Sequence, residues 1–147
     1  MWILTGLCLL LLIICTCTDI RSREIFWPLP VLYFFFALLY RGVTGIAWFG
    51  VTELILRLVP GILLLLLSLT KRKWVGLGDG LMVLCIGYAL GAEALTKILF
   101  AAAFFGAAYA GILLLKKKCK PKDSIPFAPF LLAGCVVWIV TYMMGEL

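Results

Sequence analysis

The chain has 147 residues, 65% of them hydrophobic and 14% charged, and a mean hydropathy of +1.20. A water-soluble domain of this length would have to hide more apolar surface than its interior can hold, so the composition excludes a soluble globule and makes lipid the solvent. The net charge of +6 is not a nucleic-acid signature, because ten of the thirteen Lys and Arg fall in three clusters between apolar runs: Arg21 and Arg23, then Lys71, Arg72 and Lys73, then Lys116, Lys117, Lys118, Lys120 and Lys122.

A helical span needs about 20 residues, which leaves room for about six and for short connections only. The first apolar run is Trp2 to Thr18, followed by a polar stretch from Asp19 to Glu24. Its arginines follow the apolar run instead of preceding it, which predicts a retained helix with its N-terminus outside, not a cleaved signal peptide. A second segment begins near Phe26, carries Pro28 and Pro30 where a first turn tolerates them, and runs to about Tyr40. Trp48 and Phe49 beside Glu53 and Arg57 predict an interfacial amphipathic piece ahead of a third helix over about 54–70, with Pro60 as a kink point. The fourth helix starts near Asp79 and ends near Gly91; being short, it either lies deep in the bundle or extends a few residues beyond these bounds. The fifth, about 94–115, is rich in Ala and Gly, which predicts a closely packed interior helix. The sixth runs from about Pro126 to Met144.

These elements make an all-α integral membrane protein of about six transmembrane helices in a single domain over residues 1–147. With six spans the basic clusters fall in the first, third and fifth loops, all on one side. The positive-inside rule makes those loops cytoplasmic and both termini external. The groups left for the outer side (Arg41, Glu53, Arg57, Glu93, Lys97 and Glu146) sum to zero, and Glu53/Arg57 and Glu93/Lys97 have the i,i+4 spacing of helical ion pairs. The five tryptophans, Trp2, Trp27, Trp48, Trp74 and Trp138, are expected as interface anchors.

Five of the six cysteines (Cys8, Cys15, Cys17, Cys85 and Cys135) lie in apolar runs, where cysteine behaves as a small hydrophobe, and Cys119 lies in the lysine loop. There is no CxxC pair and no histidine, so no metal site and no cofactor is expected. Histidine-based nucleophile pairs are excluded too, which leaves carboxylates as the acid/base groups.

Two carboxylates stand out. Asp19 closes the first apolar run and Asp79 opens the fourth, so the predicted topology puts both at the cytoplasmic surface. Two negative charges about 4 Å apart at an effective dielectric of 20 repel by roughly 4 kcal/mol, enough to hold one proton between them near neutral pH. The ionised member can then take a proton from water while the protonated one polarises a carbonyl, the chemistry of a membrane-embedded aspartic protease. A helix N-terminus favours an anion and a C-terminus disfavours it, which assigns Asp79 as the base and Asp19 as the protonated partner. The alternative is two unrelated residues capping helices. Gly76, Gly78 and Gly80 around Asp79 admit two readings: a loosely wound stretch that receives an extended substrate, or a tight turn before the helix.

Three stretches resemble the type IV prepilin peptidases: Asp19-Ile20-Arg21-Ser22-Arg23-Glu24-Ile25, Gly76-Leu77-Gly78-Asp79 as the GxGD element, and Ile125-Pro126-Phe127-Ala128-Pro129-Phe130-Leu131 opening the last helix. The resemblance implies a prokaryotic inner-membrane enzyme that removes a short basic leader from prepilins or pseudopilins at the cytoplasmic face. It implies Asp19 and Asp79 as the catalytic pair, with Gly76, Gly78, Gly80, Arg21, Ile25, Pro126 and Phe127 as motif or substrate-binding support. The implied partners are the precursor substrates and membrane lipid, without nucleic acid. Phe26-Trp27, Leu81 and Ala128 depart from the family's usual residues. The cysteine-rich insert of its larger members is missing, so no methyltransferase activity is expected. The rival readings are a small transporter or assembly scaffold of a pilus or secretion system, which expects acids near the bilayer midplane, and a catalytically altered homologue.

Overall fold

A computed structural model describes residues 2–22, 26–44, 50–69, 76–115 and 126–145. The six apolar runs are six helices: α1 (Trp2–Ser22), α2 (Pro28–Thr44), α3 (Val51–Ser68), α4 (Leu77–Leu90), α5 (Ala92–Leu115) and α6 (Ala128–Gly145). Four of them are long and apolar enough to cross a membrane, over Trp2–Arg21, Val51–Ser68, Ala92–Leu113 and Ala128–Gly145, while α2 and α4 are shorter apolar helices. Large apolar side chains such as Leu32, Leu39, Leu63, Phe100 and Phe104 point outward, as a lipid-facing surface requires. The basic clusters beyond Arg21, together with Ile25, Trp48, Phe49, Trp74 and Cys119, lie outside the described residues.

Several helix limits differ from the sequence expectation. Helix α1 continues past Thr18 to Ser22, so Asp19 lies inside its last turns. No separate amphipathic piece precedes α3 among the described residues: Glu53 and Arg57 belong to its first two turns, and Pro60 is accommodated within a continuous helix. The interior helix is α4, not the Ala-rich α5. Nine of the residues of α4 are buried, from Gly78 to Leu90, whereas Ala103, Phe104, Ala107 and Ala108 of α5 are exposed. At 14 residues α4 is about 21 Å long, shorter than the roughly 30 Å of bilayer hydrocarbon; its neighbours surround it instead of lipid.

Glycine explains how α4 reaches that position. Helices α3 and α4 pack antiparallel, with Gly61 against Leu84, Gly80 against Leu65 and Gly87 against the Arg57 carbonyl. A Cβ on Gly61 would stand 2.5 Å from the Leu84 Cα and one on Gly87 would stand 2.2 Å from the Arg57 oxygen, so the backbones approach to a distance that only hydrogen on Cα allows. On the other side α1 and α6 pair antiparallel: Trp2 meets Tyr142 edge-on, and Cys8 and Cys135 share the core with Leu12 and Leu131. Helix α6 also packs tightly on α5, where Gly134 lies against the Ile98 carbonyl. Trp138 is buried, 6% exposed, and serves this core instead of anchoring at an interface as expected. Trp2 and Trp27 remain exposed.

The chain turns from α4 into α5 through one residue. Gly91 has φ 103°, a left-handed value that glycine adopts without strain. Its N–H donates to the Gly87 carbonyl at 3.0 Å and its carbonyl accepts from Leu95 at 3.0 Å, so it ends one helix and begins the next. Two arginines converge on the same end of α4. Arg41 donates to the Ala89 carbonyl at 2.9 Å and stands over the Tyr88 ring. Arg57 donates to Glu53 through both Nε and Nη2 and reaches toward the Tyr88 carbonyl. Last-turn carbonyls have no intrahelical partners, and cations suit the negative end of the helix dipole. Arg57→Leu is therefore expected to destabilise the fold by about 1–3 kcal/mol, and Glu53→Gln by under about 1 kcal/mol, read as thermal unfolding in detergent.

Candidate active site at the helix α1, α4 and α6 ends

The opposite end of the bundle is where the C-terminal turns of α1 meet the N-termini of α4 and α6. Asp19 is 7% exposed. Its Oδ2 accepts a hydrogen bond from the Ala128 N–H at 3.1 Å, across 109 residues of sequence. The residue before it on α1, Thr18, donates its hydroxyl to the Cys15 carbonyl at 2.9 Å. The Thr16 hydroxyl is enclosed with no hydrogen-bond partner among the described residues.

Asp79 is half-buried and is the third residue of α4. Its Oδ2 accepts from the Gly76 N–H at 3.3 Å, so the carboxylate folds back over the start of its own helix. A Cβ on Gly76 would stand 3.2 Å from that oxygen, closer than ordinary van der Waals contact. Helices α1 and α4 pack against one another, and both aspartates lie at this end of the bundle. The fold thus places at one end of the bundle two carboxyls that the sequence separates by sixty positions.

Each of the other expected site residues has a definite place. Gly78 and Gly80 lie inside α4 and are buried, and Gly80 packs on Leu65 of α3. Neither belongs to a loosely wound stretch: residues 77–90 are α-helix. Arg21 is exposed in the last turn of α1. Pro126 and Phe127 stand directly ahead of α6, and the Phe127 carbonyl accepts from Phe130 at 3.1 Å and Leu131 at 3.2 Å. The helix-end assignment of Asp79 as base and Asp19 as acid does not survive. Asp19 stands in the last turn of α1 but also against the positive end of α6, so two opposed dipoles act at its carboxyl and the dipole argument no longer separates the pair. The contact the sequence reading missed is the Ala128 amide. Its signal was the 125–131 motif itself, but a backbone donor leaves no trace in residue type.

A groove of about 470 Å³ lies between α5 and α6, lined by Thr96, Lys97, Phe100, Trp138 and Tyr142 among others. It sits at the far ends of these helices from Asp19 and Asp79 and belongs to the arginine-capped end of the bundle. Among the described residues no group of three or more Cys, Asp or Glu side chains is placed to hold a metal ion.

Paired carboxyls at one end of a helical membrane bundle suit proton transfer to and from a water molecule and a carbonyl. A family model described as the type IV leader peptidase family matches residues 6–111. The chain belongs to the type IV leader peptidase family. The matched stretch runs from α1 through most of α5 and contains both aspartates; the Pro126–Leu131 segment of α6 lies beyond it. No curated protein and no solved structure matches the chain. Family membership makes this helical bundle a membrane peptidase, as the resemblance of its three motifs implied.

Proposed function

We propose that this leader peptidase is an aspartic endopeptidase that uses Asp19 and Asp79 to remove the short basic leader of prepilin-like or pseudopilin precursors. The observation that carries the reading is the placement of both carboxyls at one end of the bundle, on the packed helices α1 and α4, within the stretch matched to the family. Like charges near each other disfavour double ionisation, so the pair acts with one shared proton. The ionised carboxyl takes a proton from the attacking water while its partner donates a hydrogen bond to the scissile carbonyl. As the tetrahedral intermediate collapses, the proton gained by the base passes to the departing amine. No methyl transfer accompanies the cut, in keeping with the missing cysteine-rich insert.

In this reading the chain passes through the inner membrane about six times as one domain over residues 1–147, the short α4 inside its neighbours, with both termini external and the basic loops cytoplasmic. The aspartate end then faces the cytoplasm, where a precursor presents its leader just ahead of its apolar helix. That placement at one surface favours proteolysis over a proton-coupled transporter, whose acids belong near the midplane.

The test is co-expression with a precursor carrying a basic leader before one apolar helix, followed by gel separation and mass analysis of the product. Loss of the leader, dependent on the peptidase and blocked by its aspartate variants, is the expected result. An intact precursor beside a folded, membrane-inserted enzyme, across several such precursors, would remove the substrate assignment.

A further inference from the structure

The contact between Asp19 and α6 has a property that the residues on either side of it explain. The first N–H groups of a helix have no partner inside it. Here Phe130 and Leu131 both give theirs to the Phe127 carbonyl, and Pro129 has none to give. Among residues 128–131, Ala128 therefore holds the one N–H not committed to that carbonyl, and it points at Asp19 Oδ2. Ala128 is fully buried, 0% exposed, as are Leu131 and Cys135 further along the same helix. The antiparallel seam of α1 and α6, closed at its other end by Trp2 and Tyr142, fixes the register of the two helices and hence the position of the donor.

We propose that Ala128 is a positioning residue: its backbone N–H fixes the rotamer of the Asp19 carboxyl at the α1–α6 seam. The Pro-Phe-Ala-Pro-Phe-Leu segment then serves to clear competing donors from the start of α6 and leave one for the active site. The inference rests on the proposed catalytic role of Asp19. A hydrogen bond from a backbone donor to a carboxylate is stronger than a neutral one, and α6 can hold the carboxyl without adding another titratable group beside the pair. Side-chain chemistry at position 128 does not enter, which fits an alanine there.

Ala128→Pro tests it. Proline is favoured at the first position of a helix and deletes only an N–H that the helix itself does not use, while Ala128→Val adds comparable volume and keeps the N–H. With a leader-bearing precursor, the kcat of the proline variant is expected to fall about 10- to 100-fold below that of the valine variant. KM is expected to agree within about twofold between the two, since the contact orients a reacting group and binds no substrate. Equal kcat values in the two variants, or a difference confined to KM, would overturn the proposal. If proline blocks membrane insertion, lactic acid in place of Ala128 deletes the same N–H without added volume and is read against the same criterion. Asp19→Asn, assayed in parallel, separates the two levels. An active Asn variant removes the catalytic role of Asp19, whereas an inactive one beside matched proline and valine variants removes only the positioning role.

Discussion

Asp19→Asn and Asp79→Asn are each expected to lower the rate of leader cleavage at least about 1,000-fold while leaving the protein folded and inserted. The choice of asparagine separates chemistry from architecture. Both carboxylates accept a backbone N–H at a helix start, Asp19 from Ala128 and Asp79 from Gly76. Asparagine keeps an acceptor oxygen and is as good a helix cap as aspartate, but it cannot take up or release the proton that water attack requires. If the two aspartates serve only as caps, the asparagine variants retain activity and alanine variants lose stability, by about 0.5–2 kcal/mol each. If they form the catalytic pair, either asparagine alone abolishes turnover, and the double variant is no worse than the single ones because residues that act as a unit are not additive. Steady-state cleavage of a purified precursor, with thermal unfolding of each variant measured alongside, decides between the two. Cleavage at the normal rate by either single variant would end the dyad mechanism.

Gly87→Ala is expected to destabilise the bundle by about 1–3 kcal/mol, even though alanine is the better helix former by roughly 1 kcal/mol. The added methyl would stand 2.2 Å from the Arg57 carbonyl oxygen and 2.9 Å from Leu95 Cδ2. Leucine can change rotamer, but the carbonyl belongs to the backbone of α3 and can move only with the helix. Separating α3 from α4 would also pull at Gly61–Leu84 and Gly80–Leu65, the contacts that run along the seam toward Asp79. Position 111 supplies the opposite sign. A Cβ on Gly111 of α5 meets nothing within 4 Å, so Gly111→Ala is expected to stabilise by about 0.5–1 kcal/mol. Thermal unfolding of the two variants in the same detergent checks the pair. Similar shifts in one direction would mean that helix propensity outweighs packing, contrary to the geometry.

Composition and the placement of polar residues were sufficient to establish a membrane bundle of six helices, because a backbone in lipid must satisfy its own hydrogen bonds and every long apolar run must therefore be helical. The same pattern located both aspartates, since a carboxyl beside the bilayer has few neighbours to be confused with. It could not say which helix lies inside. The small residues of α5 look like a packing surface, yet Ala103, Ala107 and Ala108 face outward, and the closest approaches are made by single glycines on α3, α4 and α6. A span facing lipid and one facing protein are equally apolar, so hydrophobicity carries no signal for that choice. Trp138 went astray for the same reason, as an aromatic side chain suits either an interface or a core.

What residue types could determine, then, was the solvent, the helices and the two acids. What only the folded chain decided was placement: that α1 and α4 pack together with Asp19 and Asp79 at one end, that Gly80 packs on α3, and that the Ala128 amide meets a carboxylate 109 positions away. Those contacts depend on backbone atoms and helix register, which are identical in kind at every residue and so leave no mark in the sequence.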